Sequence, residues 1–215
     1  MADMFTDLDQ KTLLNIIKAR RDVRGHAFTD RQIDDSTLHK ILEAALWGPS
    51  VGFSQPWRFV VVRDMKKKKE IKESFLEANE KAAEKFTGKK QELYNSLKLD
   101  GILEAPVGIA AFYEQSKGAV LGQNSMKETG AYSVVCAIQN LWLMARACGV
   151  GVGWVSILDP KAVGRILGAK EHQKLIGYLC LGYVEEFLDG PELEKKGWAV
   201  RKMWQNCIFE ESLTL

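Results

Sequence analysis

The segment Arg20-Arg21-Asp22-Val23-Arg24-Gly25 sets three arginines around one carboxylate. A guanidinium is a planar fork of N–H donors that matches two oxygens of a phosphate, so arginines grouped on one short stretch suit an anionic ligand. They also repel one another unless an anion or a carboxylate lies among them. Asp22 therefore has two readings. As a surface partner of Arg20 or Arg24 it contributes little. Beside a bound phosphate ester it is a base placed next to the ligand. The spacing alone leaves both open.

A second stretch, Gly48-Pro49-Ser50-Val51-Gly52-Phe53-Ser54-Gln55-Pro56-Trp57, combines small residues, an amide and two aromatics. Such a loop can lie against a planar heterocycle: backbone N–H groups and Gln55 offer hydrogen bonds, and Trp57 can wall the pocket. It also reads as an ordinary turn with an aromatic plug. Other motifs fail on spacing. The glycines of Cys148-Gly149-Val150-Gly151-Val152-Gly153 follow a helical pattern, and Trp154 and Ser156 stand where a dinucleotide loop needs glycine. There is no GxxxxGK[ST] phosphate loop and no GxSxG elbow. His26, His39 and His172 have no metal-ligand spacing with one another or with a cysteine, so no metal is expected.

Both stretches need elements to hold them. Thr6 and Asp9 make a capping box for a helix carrying Leu13, Leu14, Ile16 and Ile17, which delivers the arginine segment at its C-terminal end. A second helix starts near Asp35–Ser36, with Leu38, Ile41, Leu42, Ala45 and Leu46 at helical spacing, and ends at Gly48-Pro49. Trp57 to Arg63 reads as a buried strand. From 64 to 99 the chain is charged, with a thin apolar stripe of Ile71, Phe75, Ala78, Ala82 and Phe86. That predicts two amphipathic surface helices able to form a lid, with Lys66–Lys69 as a solvated face. Strands follow at Val107–Glu114, Gly153–Ile157 and Ile176–Val184. Between them come a long helix, Thr129 to Ala147, stopped by Gly149, and a short one opened by Asp159-Pro160. The tail after Glu186 has little periodicity and suits packing on a partner subunit. The prediction is an α+β fold in one domain over 1–215, with one sheet of four or five strands layered with helices.

A chain of 215 residues can bury a real core, and 46% hydrophobic with 27% charged residues marks a globular protein. A net charge of +2 makes nucleic acid a poor partner. The four cysteines, Cys136, Cys148, Cys180 and Cys207, form no CxxC pair and read as small core residues in a reducing compartment. MADMFTDLDQ lacks the basic and apolar regions of a leader, and no apolar run is long enough to span a membrane. A cytoplasmic protein is expected.

Taken in order, the arginine box, GPSVGFSQPWRF, LKLDGILEAPV, YSVVCAIQNLWLMARACGVGVGWVSIL and YLCLGYVEEF–PELEKKGW resemble the nitroreductase-type flavoprotein family. They are most similar to its 5,6-dimethylbenzimidazole synthase branch, over about residues 16 to 204. The chain departs from that branch at His26, Ser54 and Thr129-Gly130-Ala131-Tyr132. The resemblance implies a nitroreductase-like mixed sheet and an FMN site at a homodimer interface. Arg20, Arg21 and Arg24 would hold the phosphate and ribityl end, joined by Arg201 from the tail. Ser50, the backbone of Val51 and Gln55 would lie near the ring, and Leu99 would close over it from the lid. Asp22 and Ser156 would carry chemistry, as base and as hydroxyl at the ring edge. The implied reaction cleaves reduced FMN with O2, giving 5,6-dimethylbenzimidazole and erythrose 4-phosphate. A separate flavin reductase would supply electrons from NAD(P)H. The alternatives are an NAD(P)H-dependent nitro or quinone reductase and a non-catalytic flavin-binding protein.

Overall fold

The computed structural model describes residues 4–213; the start of the MADMFTDLDQ reading, 1–3, and the chain end, 214–215, lie outside the described residues. Seven helices, α1 (Asp7–Ala19), α2 (Asp35–Leu46), α3 (Met65–Ala83), α4 (Gly88–Ser96), α5 (Thr129–Ala147), α6 (Pro160–Ile166) and α7 (Glu192–Lys195), are described. They intersperse with strands β1 (Trp57–Val62), β2 (Val107–Glu114), β3 (Val150–Val155) and β4 (Gln173–Tyr183). Short polar side chains start several helices by satisfying free N–H groups. Thr6 Oγ1 accepts from the Asp9 N–H and Asp9 Oδ2 from the Thr6 N–H, at 3.2 and 2.8 Å. Asp34, Asp64 and Asp159 cap α2, α3 and α6 in the same manner.

The strands form one antiparallel sheet in the order β1-β2-β4-β3. Period-two alternation divides its side chains between two cores. Ile109, Ala111, Val152, Leu179 and Leu181 face α2 and α5, packing on Leu38, Ile41, Val134, Ile138 and Leu141. Ala110, Phe112, Val155, Tyr178 and Cys180 face the other way, onto Ile71 and Phe75 of α3 and Val163 of α6. Helices thus cover both faces, and the predicted α+β layering is the observed one.

Three expectations need correction. The run from Trp57 reads as fully buried, but β1 is an edge strand with Arg58 exposed and Val61 37% exposed. Lys68 does not belong to a solvated lysine face. It is 2% exposed, and its ammonium donates to the carbonyls of Ala105 and Pro106 at the start of β2. Of the cysteines only Cys180 is buried; Cys136 and Cys148 are half-buried and Cys207 is exposed.

After α1 the chain runs extended along the outer edge of β3. Asp22 forms a parallel bridge with Val152, and the Val23 N–H donates to the Val152 carbonyl at 3.0 Å. This approach requires glycine at 153, where an added Cβ would lie 2.1 Å from the Val23 carbonyl oxygen. Gly153→Ala should therefore push the segment off the strand and lower stability by about 1–3 kcal/mol in denaturant unfolding. An unchanged midpoint would contradict the docking.

Candidate active site

Helix α1 ends at Arg20, whose backbone is extended at φ −63°, ψ 134°. Successive side chains beyond it point to opposite sides. Val23 turns into the core. Arg20, Asp22 and Arg24 share the other side. The Arg20 guanidinium lies 4.8 Å from the centre of the Trp142 ring, and the Trp142 indole N–H donates to the Arg21 carbonyl at 3.1 Å. Helix α5 thus supplies a flat platform that holds Arg20 by cation–π attraction and pins the backbone next to it. No acceptor among the described residues takes a hydrogen bond from the Arg20 guanidinium.

Arg21 does different work. Its Nε donates to the Leu188 carbonyl at 2.9 Å, its Nη1 to the Lys18 and Arg20 carbonyls at 2.7 Å each, and its Nη2 to the Asp189 carbonyl at 2.6 Å. It ties the loop before α7 to the end of α1. Arg24 is 11% exposed and pairs through Nη2 with Asp22 Oδ2, while its Nη1 donates to the Leu99 carbonyl at 3.2 Å. Asp22 Oδ1 accepts the Trp154 N–H at 2.9 Å. One carboxylate thus joins the arginine segment to β3 and neutralises Arg24.

Burial pushes the Asp22 carboxyl above its usual range. Arg24, the Trp154 N–H and Arg20 pull it back, and Glu192 adds to the rise. The Asp22 side chain remains 33% exposed, enough for a ligand to reach it. Burial also lowers Arg20, Asp22 opposes that, and Arg21 and Arg201 add to it by like-charge repulsion. Arg20, Arg21, Asp22, Arg24 and Arg201 border one cavity of about 750 Å³, within the range that holds a small-molecule cofactor. Leu99 joins through its carbonyl on Arg24. Arg201 comes from the tail. Trp198, three residues before it, packs edge-on against Phe86, between α3 and α4, 5.2 Å away, and the Arg201 N–H donates to Glu194 at 3.0 Å.

Ser50, Val51 and Gln55 lie elsewhere. The Val51 N–H donates to Ser133 Oγ and the Gln55 N–H to Ser50 Oγ, both at 3.1 Å. Ser133 and Trp142 are nine positions apart on α5, so this loop and the arginine segment dock about 14 Å apart along that helix. The loop is strained: Phe53 and Gln55 hold φ of 52° and 46°, a region that side-chain-bearing residues avoid unless the fold imposes it. Gln55 borders a separate cavity of about 650 Å³ that contains none of the three clustered arginines. Ser156 is exposed just beyond β3, two residues past Trp154 and so about 7 Å along an extended chain. Its hydroxyl makes no hydrogen bond among the described residues.

Trp142 is the site residue that sequence reasoning missed; its place in an apolar helical pattern marked it only as core. The geometry separates the adjacent arginines. Arg21→Ala should destabilise the protein by about 1–3 kcal/mol, because it removes four charge-assisted hydrogen bonds to carbonyls. Arg20→Ala should cost at most about 1 kcal/mol, the loss of one cation–π contact. Thermal and denaturant unfolding of the two variants checks the order.

Residues 17–183 match the nitroreductase family. The 5,6-dimethylbenzimidazole synthase of Rhodospirillum rubrum is 44% identical over 185 residues, 85% of this chain and 87% of that one. A BluB-like flavoprotein from Clostridium difficile 630 superposes with a TM-score of 0.69 at 21% identity, covering 92% of this chain and 98% of the other. Oxidized iodotyrosine deiodinase bound to FMN and 3-iodo-L-tyrosine gives 0.69 at 24% identity, covering 82% and 91%. With the family match spanning most of the residues from α1 to the end of β4, and with the arginine segment, the strained loop and the two-sided sheet all within it, the chain belongs to the nitroreductase family.

Proposed function

We propose that this protein is a 5,6-dimethylbenzimidazole synthase that fragments reduced FMN with O2, releasing 5,6-dimethylbenzimidazole and erythrose 4-phosphate. The observation that carries the reading is Asp22: a carboxylate inside a guanidinium-lined cavity, partly exposed, with two contacts that leave lone pairs free. A hydride shuttle has no use for a base at that place. The identity to the Rhodospirillum rubrum synthase over most of both chains supports the same reading.

Reduced FMN, when bound, supplies the electrons for O2 and the carbon skeleton of the product. The chain's own residues do the rest. Arg20, with its unused donors, holds the phosphate and ribityl end together with Arg24 and Arg201. Arg21 keeps the segment in place through the carbonyls it binds. Asp22 takes the proton from the ribityl-derived carbon. Its raised pKa makes it a stronger base. Ser156, with a free hydroxyl, donates and accepts at the ring edge. Electrons come from NAD(P)H through a separate flavin reductase, in the cytoplasm.

The flavin lies between two copies of the chain. Its phosphate-holding and ring-holding segments sit about 14 Å apart along α5 in one copy and border different cavities. Leu13, Leu14 and Ile17 of α1, Tyr132, Val135 and Met144 of α5, and Met203 and Trp204 of the tail are exposed large apolar residues. Such surface suits a second subunit. In a homodimer, Ser50, Val51 and Gln55 of one copy complete the cavity made by Arg20 and Arg24 of the other.

Purified protein given FMN, a reductant and air should yield 5,6-dimethylbenzimidazole by mass spectrometry. Asp22→Asn should bind flavin and make none. Peroxide without benzimidazole, or steady nitroaromatic reduction by NAD(P)H in its place, would overturn the reading. For the shared site, Arg20→Ala and the double change Ser50→Ala with Gln55→Ala should each abolish turnover at limiting flavin. Co-expressing the two should restore about a quarter of wild-type activity, since half the dimers are mixed and each mixed dimer keeps one intact site. No recovery would place the whole site in one copy.

A further inference from the structure

The lid touches the arginine segment at two consecutive positions. The Arg24 side chain donates to the Leu99 carbonyl at 3.2 Å, and the Gly25 N–H donates to the Asp100 carbonyl at 2.8 Å. Both acceptors lie just after α4, in a stretch without regular structure that needs something to fix it. Lys72 of α3 provides it: its ammonium meets both Asp100 carboxylate oxygens, at 2.7 and 2.8 Å. Asp100 Oδ1 also accepts the Ile102 N–H at 3.3 Å. The pair is largely removed from water, with Lys72 21% and Asp100 11% exposed. It is thus screened far less than a surface pair. Lys72 is itself aimed by its neighbours, since Ile71 and Phe75 anchor that face of α3 in the core and the ammonium lies 4.9 Å from the Phe75 ring centre.

The joint has no slack. A Cβ on Gly25 would meet the Glu104 carboxyl at 2.8 Å, and one on Gly101 would meet the Phe28 ring at 2.7 Å and the Gly25 backbone at 3.2 Å. With the backbones in contact, a shift of Asp100 carries Gly25 and the Leu99 carbonyl with it. Arg24 binds that carbonyl with one arm of its fork and Asp22 with the other. We propose that Lys72 and Asp100 are positioning residues that lock the lid to the arginine segment and so set the Arg24–Asp22 pair for proton removal from reduced flavin. The inference rests on the proposed function for its reaction. The lock itself concerns the chain alone.

The test uses the full-length protein with Lys72→Met and Asp100→Asn combined, which leaves no unpaired charge at the joint. Asp100→Asn alone is the second variant should the double one fold poorly. Without flavin, amide exchange at Gly25 should quicken at least tenfold while that at Leu179, in β4, stays unchanged. With flavin, kcat for benzimidazole at saturating FMN should fall at least tenfold while the FMN Kd rises by less, because Arg20 and Arg201, which also hold the phosphate end, do not touch the joint. Lys72→Arg should keep most of kcat. Unchanged exchange at Gly25 overturns the lock. Faster exchange with kcat within twofold of wild type, or a kcat loss recovered by added flavin, overturns the positioning role. If the unaltered protein forms no benzimidazole, the functional reading fails, and exchange at Gly25 alone decides the lock.

Discussion

The site depends on one docking event, the extended arginine segment lying along the outer edge of β3. The edge of a sheet offers unpaired N–H and C=O groups. Here the Val152 carbonyl is taken by the Val23 N–H and the Trp154 N–H by the Asp22 carboxylate. Because β3 lies beside β4, whose side chains enter both cores, the segment inherits the rigidity of the best-buried part of the molecule. A cluster of like charges at the end of an otherwise exposed helix would spread in solution. On this edge, one carboxylate and one tryptophan ring hold its members at fixed places.

That fixing divides the labour among residues that look alike. Arg21 spends its donors on carbonyls and acts as a strut. Arg24 is a bridge between the Leu99 carbonyl and Asp22. Arg20, resting on Trp142, keeps its donors free. The tail reaches the arginine cavity through Arg201, and Leu99 meets its border only through the carbonyl that Arg24 binds. Elements distant in sequence are thereby joined around one cluster of arginines.

Much of this was legible in the sequence, where local rules operate. The Thr6–Asp9 box, the Asp159-Pro160 start of α6 and the glycine after α5 sit where capping chemistry puts them. Lys68 was misread because it stands in a run of four lysines, yet it lies three and seven positions before the buried Ile71 and Phe75, in register with the apolar stripe. The division between Arg20 and Arg21 follows from the chain becoming extended at Arg20, which composition does not reveal. The edge position of β1 depends on strand order, a property of pairings far apart along the chain. The carboxylate of Asp100 was visible only inside a longer matching motif. Nothing in its spacing pointed to Lys72, because the partner stands 28 positions away, across α4.

The Trp154 amide has a use beyond structure. On an edge strand an outward N–H ordinarily meets water, and this one meets a carboxylate oxygen at 2.9 Å. A hydrogen bond to an ionised acceptor is stronger than one to its neutral form, so the proton's resonance must move as Asp22 gains or loses charge. The backbone therefore carries a built-in indicator beside the proposed base. It reports the protonation of a single side chain, whereas a rate profile returns only the blended titration of all the groups that matter.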